Sequence, residues 1–407
     1  MVRNVVFMSA LLLLSSMCYA DWAAIGPDGG NIVALAIDPE QPATLYALPY
    51  EYPAYPRVFR TTTGGASWTC LSQRLPADNI AALIVDRSGT LYGLTSSAVS
   101  RSTDGGASWD SYALPTYANS IAADPLVPGR LFASGYNYTT YAVPTVMVST
   151  DYGQSWSTTE IDPDTGYAYC VEFDPVDSGT AYAGCAYGLV FKTTDGGAHW
   201  DSACAGLPVT ASMDDIAVNP GNPDIVLAAA SDGVYRSTDA GGSWSRAGGL
   251  TMAFDLALSP ANPAIAYCLG YDTAPCLYVS DDSGATWALQ PGSVQQSKGG
   301  SLIIDPANGD VVYSPGAMGV VKTADRGVHW AAVNSGIRIA SIPTISSSPW
   351  NPHAVYVEVT NNAVFQSQSA GDTWTRCDDF LSCGAICGIG LAPGVGADVM
   401  WALEGAG

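Results

Sequence analysis

The sequence is poor in basic residues and nearly devoid of lysine. Lysine and arginine together number 15 against 37 aspartates and glutamates, which gives the 407-residue chain a formal net charge of −22. A surface of this charge repels phosphate backbones and anionic lipid headgroups. Nucleic acids and membrane surfaces are therefore not expected as partners, and cations, neutral glycans or basic proteins are favoured.

The chain also lacks the pattern of a zinc site. It has no CxxC pair and only three histidines, of which His199 and His329 fall inside a repeated motif while His353 stands apart. Structural zinc needs four ligands, most often cysteine and histidine. No metal or other cofactor is expected, except that the abundant carboxylates could supply the hard oxygen ligands of Ca²⁺.

Long apolar runs are absent after the first twenty residues. A helix needs about 20 apolar residues to cross a bilayer, and no later segment provides them. The start of the chain differs, because Arg3 precedes an apolar run over residues 5–14, and Cys18 and Ala20 have the spacing of a cleavage site. We therefore predict a signal peptide over residues 1–20 and a mature protein, residues 21–407, that is secreted or periplasmic.

The chain contains eight copies of a short motif, called the box here. Each copy has a hydroxyl residue first, an acid or hydroxyl residue third, glycine fifth and tryptophan eighth. The copies are Thr61–Trp68, Ser102–Trp109, Ser149–Trp156, Thr193–Trp200, Ser237–Trp244, Ser280–Trp287, Thr323–Trp330 and Ser367–Trp374. Successive tryptophans are 41 to 47 residues apart, which is the length of one four-stranded propeller blade.

A second motif keeps the same period. Two β-like runs flank a turn that contains Asp-Pro or a related pair, as in AIDPEQPATLYAL from Ala36 and AADPLVPGRLFAS from Ala122. Each repeat thus predicts four strands, with this turn between strands 1 and 2 and the box between strands 3 and 4. We predict an all-β fold, a β-propeller of about eight four-stranded antiparallel blades over residues 21–407. The alternatives are seven or nine blades, closure of the ring by the two chain ends, and a truncated longer protein.

The box resembles the Asp-box, or BNR repeat. This repeat occurs in sialidases, sortilin-type receptors, xyloglucan-cleaving glycosidases with two propellers, and photosystem II assembly factors, all of which are β-propellers. The resemblance implies the propeller fold but not the sialidase site. No arginine triad for a substrate carboxylate is evident, because Arg60, Arg101 and Arg236 directly precede boxes and are expected on third strands.

The third position of the box has a local structural rationale. An aspartate there can accept hydrogen bonds from the N–H groups of a tight turn, and a glycine at the fifth position permits positive φ. We therefore interpret the box acids as turn residues rather than catalytic groups. They are Asp104, Asp151, Asp195, Asp239, Asp282 and Asp325, with Thr63 and Ser369 in the first and last copies.

First strands line the central channel of a propeller, and alternation assigns their smaller residues to the channel side. In three consecutive repeats this set contains a carboxylate, Glu172, Asp215 or Asp255, and Asp214 lies beside them. Converging carboxylates can perform acid–base chemistry on a glycosidic bond, bind a cation, or simply be solvated. Glu172, Asp215 and Asp255 are the catalytic candidates, and Asp214 is a candidate for ligand binding.

Two loops between strands 2 and 3 are rich in tyrosine. Rigid aromatic side chains on loops suit stacking on sugar rings or contact with a protein partner, although they can equally cover loop backbone. The ligand-binding candidates in these loops are Tyr50, Tyr52, Tyr55, Tyr136, Tyr138 and Tyr141.

Two cysteine pairs predict disulfides, which the exterior of the cell permits. The pairs are Cys170 with Cys185 and Cys268 with Cys276. The first pair would face each other across a hairpin if Asp174 opposes Ala181, and the second pair flanks the loop after another second strand.

We interpret the chain as an exported, monomeric propeller that serves as a binding or scaffold module for a glycan or protein partner, rather than as an enzyme. The alternative is a glycoside hydrolase, xyloglucanase-like or sialidase-like, that uses the inner-strand carboxylates. The two hypotheses differ in one observable, because only the hydrolase releases reducing sugar from a polysaccharide.

Overall fold

The chain folds into two compact units in the computed structural model. One unit is Asp28–Ala340, and the other contains the strands from Thr344 onward. The described residues are 29–50, 56–76, 80–138, 142–162, 166–271, 275–291, 302–316, 319–335, 344–347, 354–359, 363–369, 374–376, 386–393 and 398–404. The predicted signal peptide lies outside them.

Seven four-stranded antiparallel sheets make up the first unit, and in each the strands pair in chain order. Blade 1 comprises β1 (Ile32–Ile37), β2 (Leu45–Pro49), β3 (Arg57–Thr61) and β4 (Thr69–Arg74). Blade 2 comprises β5 (Ala82–Val85), β6 (Leu91–Leu94), β7 (Ala98–Ser102) and β8 (Asp110–Ala113). Blade 3 comprises β9 (Tyr117–Ala123), β10 (Leu131–Tyr138), β11 (Ala142–Ser149) and β12 (Ser157–Glu160).

The next four blades repeat this order. Blade 4 comprises β13 (Ala168–Phe173), β14 (Ala181–Cys185), β15 (Val190–Thr193) and β16 (Asp201–Ser202). Blade 5 comprises β17 (Met213–Val218), β18 (Val226–Ala230), β19 (Gly233–Ser237) and β20 (Ser245–Ala247). Blade 6 comprises β21 (Ala253–Leu258), β22 (Ala266–Tyr271), β23 (Pro275–Ser280) and β24 (Ala288–Leu289). Blade 7 comprises β25 (Ile303–Asp305), β26 (Asn308–Gly316), β27 (Gly319–Thr323) and β28 (Ala331–Ala332).

The second unit has one four-stranded antiparallel sheet and one hairpin. The sheet comprises β29 (Thr344–Ser347), β30 (Val355–Val359), β31 (Ala363–Ser367) and β32 (Thr375–Arg376), and the hairpin comprises β33 (Ile386–Pro393) and β34 (Asp398–Glu404). A 3₁₀ turn, Ala186–Gly188, follows β14 in the first unit. Within the described residues, no helix has the length and apolar character needed to cross a membrane.

Contacts between blade 1 and blade 7 close the first unit into a ring. The Trp68 indole N–H donates to the Val333 carbonyl at 2.6 Å, and the Trp68 backbone N–H donates to the Ser335 carbonyl at 2.7 Å. The Tyr313 hydroxyl reaches back to the Gly64 carbonyl at 3.2 Å. Apolar side chains of both blades form one buried cluster, so the first and last blades pack as neighbours.

The propeller therefore has seven blades, and the prediction of eight is wrong, whereas the alternative of seven is correct. The predicted all-β class and the four-stranded antiparallel blade are confirmed. The eighth box, Ser367–Trp374, falls in the other unit. Repeat counting failed here because the number of copies does not say which two blades meet, and only contacts such as Trp68 with Val333 decide it.

Second strands are the most deeply buried part of each blade. β14 and β18 are buried at every position and combine alanine or glycine with a few larger residues. Small side chains let adjacent blades approach closely, and larger ones fill the remaining space. Each interface between neighbouring blades, such as that between blades 4 and 5, is an apolar cluster.

Cationic side chains on third strands connect blades 4, 5 and 7 to the blades that follow them. Lys192 Nζ and the Tyr182 hydroxyl both donate to the carbonyl of Ala240, the fourth residue of the next box, at 2.9 and 3.0 Å. Arg236, which lies on β19 as predicted, donates to the corresponding carbonyl of Ser283 at 2.9 Å. Most of the few basic residues near the boxes thus serve the ring rather than a ligand.

Neither predicted disulfide forms. In blade 4, Cys170 lies opposite Gly184, and Cys185 lies opposite Ala168. The prediction failed because Tyr169 is an extra residue in the first strand, which shifts the pairing by one position. Such a slip moves the two sulfur atoms out of register.

The second pair is also out of register. Cys268 on β22 lies opposite Tyr278, whereas Cys276 on β23 lies opposite Gly270. Residues two positions apart along a ladder are too far apart for a disulfide. Cys268 is instead a buried apolar residue of the interface between blades 5 and 6.

Candidate functional site

The antiparallel order of the strands gives the propeller two different faces. The turns between strands 1 and 2 and the boxes between strands 3 and 4 lie at one end of each blade, called the box face here. The opposite end, the loop face, carries the starts of the first strands and the loops between strands 2 and 3. The box acids therefore lie on one face, and the candidate tyrosines and carboxylates lie on the other face or in the channel.

The box of blade 2 shows how its turn is bonded. Ser102 Oγ accepts the N–H of Gly106 at 2.7 Å and donates to Asp104 Oδ1 at 2.8 Å. Asp104 also accepts the N–H and the hydroxyl of Ser108 at 2.9 and 2.6 Å. Hydrogen bonds from Ser108 and then Ser102 lower the pKa of Asp104 to about 2. The carboxylate is satisfied within its own turn.

The other five boxes of the ring with an aspartate repeat these contacts. The acids are Asp151, Asp195, Asp239, Asp282 and Asp325. The fourth residue of the box, like the fifth, has positive φ, a feature that the sequence did not indicate. Tyr152 and Ala240 occupy it with φ of 62° and 54°, a conformation that costs a non-glycine residue about 1 kcal/mol or more.

A bulge near the start of the first strand shapes the loop face. The register with strand 2 slips by one residue at the same repeat position in five blades, and the extra residues are Val33, Asn119, Tyr169, Asp214 and Phe254. A bulge re-aims the side chain of the extra residue. Asp214 and Asp215 therefore both reach the channel mouth, which strict alternation along a strand does not predict.

A cavity of about 640 Å³ occupies the channel mouth. In each of blades 3 to 6 its wall includes the bulge residue and the residue that follows it, namely Asn119, Ser120, Tyr169, Cys170, Asp214, Asp215, Phe254 and Asp255. Three of the four candidate carboxylates thus meet in one cavity, with an aromatic ring on each blade beside blade 5. Glu172 lines a second cavity of about 290 Å³, which Asp215 also borders.

Two of these carboxylates also fasten neighbouring blades. Asp215 Oδ2 accepts the N–H of Leu256 in blade 6 at 2.8 Å, and its Oδ1 accepts the N–H of Ile216 at 2.9 Å. Asp255 makes the equivalent bond to the N–H of Leu302, at the start of blade 7, at 2.7 Å. Burial raises the pKa of Asp215 to about 7, although both amides favour its ionised form.

Two other channel carboxyls, those of Asp255 and Glu172, also resist ionisation. Burial, and then the charge of Asp215, raise the pKa of Asp255 well above its usual range. The same two causes raise the pKa of Glu172 to about 8. Among the described residues, no group of three His, Cys, Asp or Glu side chains is arranged to hold a metal ion.

Three of the six tyrosines predicted from the two loops lie among the described residues. Tyr50 directly follows β2 on the loop face and is 58% exposed. Tyr136 lies in β10, and Tyr138 is the last residue of that strand. Tyr52, Tyr55 and Tyr141 lie outside the described residues.

A row of four tyrosines, called the tyrosine ladder here, leads across blades 3 and 4 into the cavity. The Tyr117 and Tyr136 rings stack with centroids 5.3 Å apart and 13° between planes. Tyr167 meets Tyr136 edge-on at 4.8 Å and 80°, and Tyr169 follows Tyr167 at 6.2 Å and 21°. Tyr169 lines the cavity. Burial, and then the nearby Asp214, raise the pKa of Tyr169, so its hydroxyl stays protonated.

The sequence candidates include only Tyr136 of these four residues. A signal for the others was present, because YANSIAADP and YAYCVEFDP place Tyr117 and Tyr167 seven residues before the aspartate of the first turn in two consecutive repeats. The prediction considered only the loops between strands 2 and 3 and therefore did not include these residues. The connection from strand 4 to the next strand 1 reaches the same face.

The chain is similar in sequence or in structure to several known proteins. Residues 144–249 match the Sortilin-Vps10 family model, described as sortilin, neurotensin receptor 3. A xyloglucanase of a Paenibacillus species is 26% identical over 299 residues, which cover 64% of this chain and 26% of the relative. The chain thus spans about a quarter of the length of that curated relative.

Solved structures share the architecture. The GH74 xyloglucanase from Xanthomonas campestris superposes with a TM-score of 0.62 at 16% identity, covering 89% of this chain and 70% of that one. YCF48 from Cyanidioschyzon merolae superposes with a TM-score of 0.51 at 16% identity, covering 74% and 97%. A propeller of the predicted superfamily is confirmed. At these identities, the structural likeness establishes the propeller fold alone.

Proposed function

We propose that the loop face of the propeller binds a neutral polysaccharide of the xyloglucan class. The observation that carries the proposal is the channel-mouth cavity, where Tyr169 and Phe254 flank the carboxyl groups of Asp214, Asp215 and Asp255. Aromatic rings stack on the apolar faces of sugars, and carboxylates accept hydrogen bonds from sugar hydroxyls. The cavity, about 640 Å³, falls in the usual size range of ligand sites.

Charge and similarity together favour this class of glycan. A net charge of −22 repels anionic glycans, so a neutral one is favoured. The Paenibacillus relative is a xyloglucanase, which makes xyloglucan the first polysaccharide to test. The proposal includes export by the predicted signal peptide, because a protein that binds an extracellular polysaccharide must be secreted or periplasmic. It also includes a monomeric state.

Hydrolysis of the bound glycan is the second candidate function. Glycosidases use two carboxyl groups, one of which is protonated. Asp214 and Asp215 line the same cavity, and burial raises the pKa of Asp215 to about 7. The name of the Paenibacillus relative supports this candidate. Binding is nevertheless placed first, because both oxygens of Asp215 already accept backbone N–H groups.

Binding and hydrolysis can be separated on the purified protein. Calorimetric titration with xyloglucan oligosaccharides measures binding, and a reducing-sugar assay on xyloglucan measures cleavage. We expect Asp214→Asn to weaken binding about tenfold, since a charge-assisted hydrogen bond to a sugar hydroxyl becomes a weaker neutral one. Asp110→Asn is the matched control, because this acid lies on the box face with 69% of its side chain exposed.

Each outcome assigns or rejects a function. Sugar release that Asp214→Asn abolishes and Asp110→Asn retains would assign hydrolysis. Binding without release would assign a glycan-binding module. If the protein bound neither xyloglucan oligosaccharides nor the unbranched β-glucan oligosaccharides tested beside them, the proposal would be rejected.

A further inference from the structure

We propose that Tyr117, Tyr136 and Tyr167 form an aromatic subsite that binds sugar rings of the polysaccharide away from the carboxyl cluster. This inference rests on the proposed function and extends its site outward over blades 3 and 4. The ligand is a neutral glycan chain, held at one end in the cavity and along its length by the tyrosine ladder.

The first argument is exposure. Tyr117 is 49% exposed and Tyr167 is 38% exposed, although both rings make aromatic contacts within the ladder. Large rings left open to water on a rigid surface retain apolar area that a ligand can cover. The ladder is also continuous with the cavity through Tyr169, so one extended chain can touch both.

The second argument is that the blade does not need these rings. Tyr117 and Tyr167 occupy the same repeat position in neighbouring blades, seven residues before the first turn. Blades 1, 5 and 6 have Asn31, Ser212 and Met252 at this position, and they form the same four-stranded sheets. An aromatic ring in only two adjacent blades is therefore a local feature rather than a requirement of the fold.

The third argument is rigidity. Tyr117 and Tyr136 face each other across the β9–β10 ladder, so their spacing is set by backbone pairing. Asn119 Nδ2 donates to the Ala168 carbonyl at 2.9 Å, which fixes blade 3 against blade 4 beside Tyr167. A platform held by the sheet loses little conformational entropy when a ligand binds.

Chain length is the variable that tests the subsite. Titrations use xyloglucan oligosaccharides of one repeating unit and of two units, on the full chain and on the double variant Tyr117→Ala/Tyr167→Ala. We expect the dissociation constant for the longer ligand to rise about tenfold, because two stacking contacts are lost. The shorter ligand can cover fewer rings of the ladder, so its affinity should change less than that of the longer ligand.

Two further variants control this test. The double variant Tyr117→Phe/Tyr167→Phe keeps the rings and should bind the longer ligand as the parent does. Tyr271→Ala removes another tyrosine from the loop face, 45% exposed on blade 6, and should leave both affinities unchanged. Thermal unfolding of each variant checks that the ring is intact.

Three results would overturn the inference. Equal affinity of the parent and the double alanine variant for the longer ligand would reject the ladder while leaving the proposed function in place. Equal losses for both ligand lengths would show damage to the cavity rather than a separate subsite. Failure of the parent to bind either ligand would reject the proposed function and the ladder with it.

Discussion

The two faces of the propeller contrast repetition with variation. On the box face, six blades use an aspartate to make one set of hydrogen bonds, and blade 1 makes a reduced set with Thr63. On the loop face, five blades share one bulge but place different residues on it, namely Val33, Asn119, Tyr169, Asp214 and Phe254. A contact repeated around the ring serves the fold, whereas a varied side chain on a repeated backbone can serve a ligand.

The faces also treat their acids in opposite ways. Hydrogen bonds from the turn lower the pKa of Asp104 on the box face to about 2. Burial in the channel wall raises the pKa of Asp215 to about 7. The box stabilises its carboxylate as an anion, whereas the channel favours a neutral carboxyl group.

The largest expected effect comes from removing a tryptophan of the box face. Trp68 is 5% exposed and bridges blade 1 to blade 7. Trp68→Ala should lower the free energy of unfolding by about 3–5 kcal/mol, because a large buried side chain and a closing hydrogen bond are lost. Urea denaturation of the parent and the variant measures this change in the free energy of unfolding.

A loop-face tyrosine provides the comparison for Trp68. Tyr50→Ala, at a residue 58% exposed, should change the free energy of unfolding by less than about 0.5 kcal/mol. Similar losses in both variants would contradict the division between a structural face and a variable face.

The dependence of stability on pH tests this difference in pKa between the box acids and the channel acids. The pKa of Asp215, about 7 in the folded protein, exceeds its usual value of about 4, so the folded state binds more protons between these values. Its contribution is therefore present below about pH 4 and is lost as the pH rises to about 7, at up to about 1.4 kcal/mol per pH unit. Asp215→Asn should remove this loss.

The box acids should give the opposite slope. Because the pKa of Asp104 is lowered to about 2, its contribution is present at neutral pH and is lost as the pH falls from about 4 to about 2. Chemical denaturation of the parent and Asp215→Asn at several pH values between 2 and 8 measures both trends. Parallel pH curves for the two proteins would show that Asp215 does not titrate in this range.

A smaller gain in stability is expected at the one box of the ring without an acid. Thr63 Oγ1 accepts the Ser67 N–H at 3.1 Å, whereas Asp104 accepts the corresponding Ser108 N–H at 2.9 Å and its hydroxyl at 2.6 Å. Thr63→Asp should raise the free energy of unfolding by about 1 kcal/mol, because a charge-assisted bond replaces a neutral one. Asp104→Thr is the matched reversal and should lower it. A loss in both variants would mean that blade 1 differs in more than this residue.

Much of the fold could be predicted because its signals are local. A period near 44 residues, an Asp-Pro turn and a box specify one blade through turn chemistry and strand pairing within a few dozen residues. The same period located Asp214, Asp215 and Asp255 on inner strands, and the structure brings all three to one cavity. Tyr117 and Tyr167 follow the same period but were not predicted, because they lie at the start of β9 and directly before β13 rather than in a loop between strands 2 and 3.

Other features could not be predicted because they depend on pairing between strands. The bulge at Tyr169 shifts the register by one residue, and this slip separates Cys170 from Cys185. The residue type at that position does not predict the bulge, since valine, asparagine, tyrosine, aspartate and phenylalanine all occupy it.

The sequence by itself determined the blade, the bonding of its box and the acidic character of the molecule, because each depends on neighbouring residues or on composition. Only the tertiary structure decided the number of blades, since seven copies close when Trp68 of the first blade meets Val333 of the last. It also decided the cavity and the tyrosine ladder, because their residues are distant in sequence and meet only after the blades are placed side by side.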